Sequence, residues 1–315
     1  MREFGFELAL CAALEREGRL VSRQLGGHVH GRRILDTVVV EGDAIDERAA
    51  ITADRIPTSA IEADVGVGEA RYWKSAFDCH PDRAERAVEL AVERGFFERE
   101  RRGGRTYVRQ TARYPYWVGS VTAIENKPDL DRPGNLETQL RTDVSLALAD
   151  RVVLATSDYV TRAHLNRLPD EVGVWRLDPE GGEREVVREP TDLPTDGPGI
   201  ELVERTPART DVRPVTAAEK ASARTRLAER AYAKGWRTFE YPACARCVPD
   251  ADGLPHCPWK GRPVRASDDC GPDCGGYDAA DAPTVDGDRL RAERTPWDPD
   301  PDGRRRQQSG LDRFG

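Results

Sequence analysis

Val121-Thr122-Ala123-Ile124-Glu125-Asn126-Lys127-Pro128 is an apolar-leading run that ends on a carboxylate and a lysine one residue apart. Side chains two positions apart on a β-strand lie on the same side, so a strand here brings Glu125 and Lys127 to one place. The lysine stands out because the chain carries only five, Lys74, Lys127, Lys220, Lys234 and Lys260, against a background of arginine. A compact, titratable ammonium suits the handling of a nucleophilic water or a phosphate. Upstream, Arg32-Arg33-Ile34-Leu35-Asp36-Thr37-Val38-Val39-Val40-Glu41 reads as a second buried strand, with Asp36 the single acid in its apolar run. A buried acid is costly unless something compensates it, which makes Asp36 a candidate ligand.

At 315 residues the chain exceeds one comfortable core, and two or three domains are expected. A net charge of -8 with arginine in place of lysine is the composition of a GC-rich, salt-adapted proteome. That charge argues against indiscriminate nucleic-acid binding, so any DNA contact has to come from local arginine clusters. No stretch approaches a membrane span and the N-terminus has no signal-peptide pattern, so a cytoplasmic protein is expected. Five of the seven cysteines, Cys244, Cys247, Cys257, Cys270 and Cys274, crowd the C-terminal third, while Cys11 and Cys79 stand apart. In a reducing compartment such crowding means metal before disulfide.

The periodicity predicts an opening helix over 2–17 stopped by Gly18, a strand over 19–25, and the Asp36 strand. Three helices follow (57–65, 68–77 and 81–94), then two strands around the Gly103-Gly104 turn. After the Glu125 strand come a helix over 135–149, a strand over 151–156, a helix over 159–168 and a strand over 172–177. Residues 178–215 read as irregular with one short strand, 216–234 as a helix, and 278–306 as a disordered tether. Helices followed by an arginine-rich hairpin resemble a winged helix-turn-helix over about fifty residues. The expected DNA contacts are Arg83, Arg86 and Arg94 on its last helix and Arg99, Arg101, Arg102 and Arg105 on the wing, all of them phosphate-positioning rather than base-reading.

Helix, strand, strand with an acid, strand with Glu-x-Lys, helix, strand is the order of the restriction-endonuclease-like core, and in it the chain resembles the PD-(D/E)xK nuclease superfamily. The resemblance implies an α/β (α+β) fold in which Asp36 and Glu125 ligate Mg²⁺ or Mn²⁺ and Lys127 orients or deprotonates the attacking water. Two carboxylates on neighbouring strands suit a hard cation, which lowers the water's pKa and stabilises charge at the phosphodiester. Glu7 matches an additional acid of some of these nucleases, and Gln139 matches the glutamine on the helix after Glu-x-Lys. Leu35 stands where the motif name has proline, and no tyrosine follows Gln139 at the spacing of the helicase-associated members. The long gap between Asp36 and Glu125 is accounted for by insertion of the winged-helix unit.

The cysteine segment, with His256 among its thiols, supplies more than the four ligands a structural Zn²⁺ needs; an iron–sulfur cluster is the alternative. Some PD-(D/E)xK nucleases hold such a cluster with C-terminal cysteines and one near the catalytic core, a place Cys11 would have to fill. Gln308, Leu311 and Phe314 close the chain in a Gln-x-x-aliphatic-x-x-aromatic pattern that resembles the sliding-clamp (PCNA) interaction box, a helical turn for an apolar groove. The expected organisation is a nuclease core in 1–45 and 116–180, the insertion in 46–115, and a connection with a helix in 181–240. A metal knuckle in 241–277 and the clamp-binding tether in 278–315 complete it. The expected function is metal-dependent DNA cleavage in replication, repair or recombination. The alternative is a non-catalytic winged-helix regulator with a degenerate nuclease core.

Overall fold

A mixed six-stranded sheet organises the chain; the computed structural model describes residues 2–26, 33–42, 56–66, 70–94, 96–110, 119–179, 181–206 and 209–297. The opening helix α1 (Glu3–Arg16) is apolar around nearly its whole circumference and is buried accordingly, with Gly18 at a φ of 81° ending it. Strands β1 (Leu20–Gly26) and β2 (Ile34–Glu41) follow as an antiparallel pair.

A separate small unit comes next. It comprises α2 (Thr58–Ile61), β3 (Arg71–Tyr72), α3 (Trp73–Ala76), α4 (Pro81–Glu93), β4 (Phe97–Arg102) and β5 (Arg105–Gln110). Pro81 opens α4 at a position whose N–H needs no partner, and His80 caps it by accepting from the Asp82 N–H. Gly103 and Gly104, at φ of 56° and 76°, supply the left-handed turn that a two-residue hairpin requires. The three strands form their own antiparallel sheet in the order β3-β5-β4.

The main sheet resumes with β6 (Ser120–Asn126), which pairs antiparallel to β2, and the Gly119 N–H donates to the Glu41 carbonyl at 2.9 Å where the chain re-enters. Helix α5 (Leu136–Leu146) then makes the crossover that a parallel neighbour demands, and β7 (Arg151–Thr156) lies parallel to β6. After α6 (Arg162–Leu165) come β8 (Gly173–Leu177), parallel again, and β9 (Arg184–Arg188), an antiparallel edge. The strand order is β1-β2-β6-β7-β8-β9. A hairpin of β10 (Gly199–Arg205) and β11 (Thr210–Val215) leads to α7 (Ala217–Lys234). The C-terminal segment holds β12 (Val248–Pro249), β13 (Pro255–Cys257), β14 (Arg262–Pro263), α8 (Ala266–Asp269) and α9 (Gly287–Arg294).

Strand alternation divides the core. Val39, Ile124, Val153, Ala155 and Trp175 face α1, whose other side is covered by Trp236 and Leu254. Val152, Leu154 and Val174 meet Leu136 and Leu140 of α5 on the opposite face. On that same face Leu20, Val38, Val121 and Ala123 pack against Leu227, Ala228 and Ala231 of α7. The small unit joins this last cluster through Ile56, Ala60, Val88, Phe96 and Val108, and Gln110 donates to Glu229 at 2.8 Å.

Three expectations are revised. In place of one helix over 68–77, the described residues there hold β3 and the four-residue α3. Residues 178–215 contain three strands rather than one. The described part of the expected tether, 278–297, is ordered: it includes α9 and ends on Trp297, 3% exposed, whose indole donates to the Tyr232 carbonyl at 3.1 Å. Among the described residues no helix is long and apolar enough to cross a membrane.

Candidate functional site

The register fixes the centre of the site. Thr37 pairs with Ile124 and Arg23 with Thr37, so the next row places Gln24, Asp36 and Glu125 side by side on β1, β2 and β6. Asp36 and Glu125, 89 positions apart in sequence, therefore project together toward the α5 face. Gln24 breaks the alternation with a φ of 53°, uncommon outside glycine, and its amide donates instead to Glu7 on α1.

Each of the two acids is tied back by one oxygen. Asp36 Oδ2 accepts the Asn126 N–H at 3.0 Å, and Glu125 Oε2 accepts Arg33 Nη2 at 2.8 Å. Their second oxygens, Oδ1 and Oε1, accept no hydrogen bond among the described residues. Arg33, 7% exposed, also clasps Asp143 of α5, with Nε on Oδ1 at 2.7 Å and Nη2 on Oδ2 at 2.5 Å. One guanidinium thus pairs with Glu125 and Asp143 and acts on Asp36 only through space, so the three carboxylates exceed it by two formal negative charges.

The electrostatics agree. Burial, reinforced by the charge of Glu125, lifts the Asp36 carboxyl from 3.8 to about 7. Burial raises Glu125 and Asp143 as well, against the opposing pull of Arg33. Arg33 is raised by its two carboxylate partners in spite of its own burial. A divalent cation between Asp36 and Glu125 would relieve that repulsion, so the donor chemistry fits Mg²⁺ or Mn²⁺.

Lys127 continues β6 in phase with Glu125. Its backbone N–H donates to the Ala155 carbonyl at 2.9 Å, and its ammonium has no ion pair or hydrogen bond among the described residues. Gln139 is half-buried on α5 one turn before Asp143, with no hydrogen bond to its side chain among the described residues. Glu7, expected as an additional acid, has its carboxylate engaged by neighbouring side chains. It lies on the α1 side with both oxygens committed to Arg23, at 3.0 Å each, and to Gln24 at 2.9 Å, so it reaches Asp36 only through space.

Arg33 and Asp143 are the functional candidates that sequence reasoning passed over. Arg33 was one of a pair of arginines opening a strand. Asp143 stands four residues after Gln139, on the same side of α5.

In the small unit, Arg83, Arg86, Arg94, Arg99, Arg101, Arg102 and Arg105 are all exposed. Arg102 is paired with Glu100 and lies over the Tyr107 ring, and Arg105 lies over Tyr72. Arg83, Arg86, Arg99 and Arg101 have no ion pair among the described residues. Helix α4 also carries Asp82, Glu85, Glu89 and Glu93, so its outer face is net negative, whereas the β4–β5 hairpin is net positive.

The cysteine segment is built from tight turns. The Cys247 N–H donates to the Cys244 carbonyl at 2.9 Å, and Lys260 and Gly261 donate to the Cys257 carbonyl at 3.1 and 2.8 Å. Pairing of Val248 with His256 brings Cys247 and Cys257 to one end of the β12–β13 ladder. Burial, with the nearby Cys270, Cys257 and Cys244, pushes the Cys247 thiol up to about 11. As they stand, no three His, Cys, Asp or Glu side chains among the described residues converge closely enough to hold a metal ion. Cys11 is elsewhere, buried in α1 with its Sγ 3.8 Å from Thr37 Oγ1. Gln308, Leu311 and Phe314 lie outside the described residues.

The chain belongs to the family described as "Family of unknown function (DUF5787)", whose pattern matches residues 20–279. The match spans Asp36, Glu125, Lys127, Arg33, Asp143 and all five clustered cysteines, and leaves α1 and α9 outside it. No curated protein and no solved structure matches the chain.

Proposed function

We propose that the chain is a divalent-metal-dependent nuclease with a restriction-endonuclease-like core, interrupted between β2 and β6 by a winged-helix-like unit. The observation that carries this reading is the Asp36–Glu125 pair: a half-buried and a buried carboxylate in one row, each anchored by one oxygen and, among the described residues, open at the other. The antiparallel β1-β2-β6 meander, followed by a helical crossover to the parallel β7, supports it. The element order α2-β3-α3-α4-β4-β5, with its strands arranged β3-β5-β4, supports the winged-helix reading of the insertion in the same way.

Asp36 and Glu125 would hold the cation, which supplies Lewis acidity at the phosphodiester and acidifies the attacking water. Lys127, whose ammonium has no partner among the described residues, would orient that water and hold it against the phosphorus for in-line attack. Arg33 keeps Glu125 from turning away. The test is cleavage of linear, flapped, branched and single-stranded DNA, and of single-stranded RNA, with Mg²⁺ or Mn²⁺ at high salt. Absence of cleavage on all of these would leave the rival reading, a DNA-binding regulator with a silent core.

Substrate contact is assigned to the hairpin rather than to α4, because the acidic face of α4 would repel a phosphate backbone. Replacing Arg99 and Arg101 together with alanine is expected to weaken DNA binding. It should reduce the slope of log affinity against log salt by roughly two, about one per lost phosphate contact. Anisotropy titrations at several salt concentrations measure this, and an unchanged slope would remove the hairpin from the interface.

The cysteine segment, with little apolar core of its own, is proposed to draw its turns together around zinc. Protein purified under reducing, chelator-free conditions should then carry about one zinc per chain. Iron with visible colour would reassign it to a cluster, and neither metal would end the proposal. The tail pattern at Gln308, Leu311 and Phe314 is proposed to bind a sliding clamp, which deletion of residues 308–315 would abolish without altering intrinsic cleavage.

A further inference from the structure

Asp143 occupies a position on α5 where an apolar residue would be cheaper. Leu136 and Leu140 precede it on the same inward stripe, both buried, and Ala147 follows it. A leucine at 143 would continue that stripe, whereas Asp143 must be desolvated and then matched by an arginine 110 residues away in sequence. Buried ion pairs of this kind add little to stability over well-packed apolar groups, so their presence calls for another reason.

The hydrogen bonds give one. Arg33 spends Nε and Nη2 on Asp143, and the same Nη2 reaches Glu125 Oε2; Nη1 is held by the Ile34 carbonyl at 2.6 Å. The guanidinium is therefore fixed in orientation by two groups outside the catalytic row and presents a single N–H to Glu125. Without Asp143 the full positive charge of Arg33 would fall on Glu125 and cancel the carboxylate that the cation needs. With Asp143 present, Arg33 can steer Glu125 while its charge is answered elsewhere.

We propose that Asp143 and Arg33 are a positioning pair that sets the divalent-cation affinity of the Asp36–Glu125 site: Asp143 takes up the charge of Arg33, and Arg33 orients Glu125 with one oxygen free for the ion. The proposal rests on the nuclease reading above for its catalytic consequence, and on the geometry alone for its binding consequence. Carboxylates that orient metal ligands from behind change metal affinity by about 10- to 100-fold when altered, which sets the expected scale.

The test is Asp143→Asn in the full chain. Asparagine keeps the shape and an acceptor for Arg33 but removes the negative charge. The half-saturating Mg²⁺ concentration for cleavage should rise roughly 10- to 100-fold, with a smaller change in the limiting rate. Ca²⁺ affinity measured by calorimetry should fall by a similar factor. Arg33→Lys, which keeps the charge and loses the fork, should shift both readouts in the same direction. A merely structural role would lower the melting temperature and leave the metal requirement of the folded fraction unchanged, and that result overturns the proposal. Should the parent protein bind Ca²⁺ without cleaving any substrate, the nuclease reading fails while the calorimetric comparison still decides the role of Asp143. If the parent binds no divalent cation, both fall. Should Asp143→Asn not fold, Arg33→Lys decides in its place, with unchanged Ca²⁺ affinity counting against the pair.

Discussion

An Asp36→Asn variant is expected to lose Mg²⁺-dependent cleavage and, in chelator above neutral pH, to be more stable than the parent protein. The loss of activity follows from removing one of two proposed cation ligands and should be at least about a hundredfold, the scale at which single electrostatic groups act in catalysis. The gain in stability follows from burial. The folded-state carboxyl titrates near 7 against 3.8 for the free side chain, so the folded protein holds a proton that the unfolded chain releases. Folding is then penalised progressively as pH rises from about 4 to about 7, and the penalty is complete above that. Asparagine removes it, and after allowance for partial exposure the gain is on the order of 2 kcal/mol at pH 8, shrinking toward zero near pH 4. Denaturant melts of both proteins across this pH range measure the difference. A variant less stable than the parent at pH 8, or one that still cleaves, would contradict the placement of Asp36 beside Glu125.

The largest expected loss of stability lies outside that site, at Trp297. Its ring fills a buried slot against Tyr232 at a centroid distance of 6.2 Å, and the Arg291 guanidinium lies 4.7 Å over it. Trp297→Ala should cost about 3–5 kcal/mol, the range for emptying a large aromatic site, because the indole, its hydrogen bond and the cover over Arg291 are lost together. Trp297→Phe should recover most of this. The measurement is equilibrium denaturation at fixed pH, and a loss under about 1 kcal/mol would show that the segment after α9 is not docked.

The sheet was largely legible because its strands carry strong signals. Val38-Val39-Val40 and Val152-Val153-Leu154 are continuous apolar runs, and a strand buried on both faces has no other way to read. The pairing of Asp36 with Glu125 was expected from the resemblance of the element order to the PD-(D/E)xK core, not from any spacing, and the register places them in one row. Strands β9, β10 and β11 were harder to see. Arg184-Glu185-Val186-Val187-Arg188 is short and charged and pairs on only one side, and Pro214 in β11 argued against a strand there. The order of 278–297 was concealed because its buried anchors, Arg291 and Trp297, sit in a stretch that is otherwise Asp, Pro and Arg rich and reads as solvated. Arg33 and Asp143 could not have been found from spacing, since the contact between them joins a strand start to the last turn of a helix across 110 positions. Only the folded arrangement makes them neighbours.

The seam between β2 and β6 also governs when the molecule becomes competent during its synthesis. Glu41 pairs with Ser120, so the two strands cannot zip until the whole intervening unit has left the ribosome. Elongation at about 5–20 residues per second makes that a delay of several seconds after Asp36 emerges. During this interval the nascent chain holds one acid of the pair and none of the parallel crossover. A chain aborted before residue 126 would carry no assembled centre at all. For a protein proposed to cut nucleic acid, dividing its centre between distant halves of the message postpones its hazard until translation has moved past both.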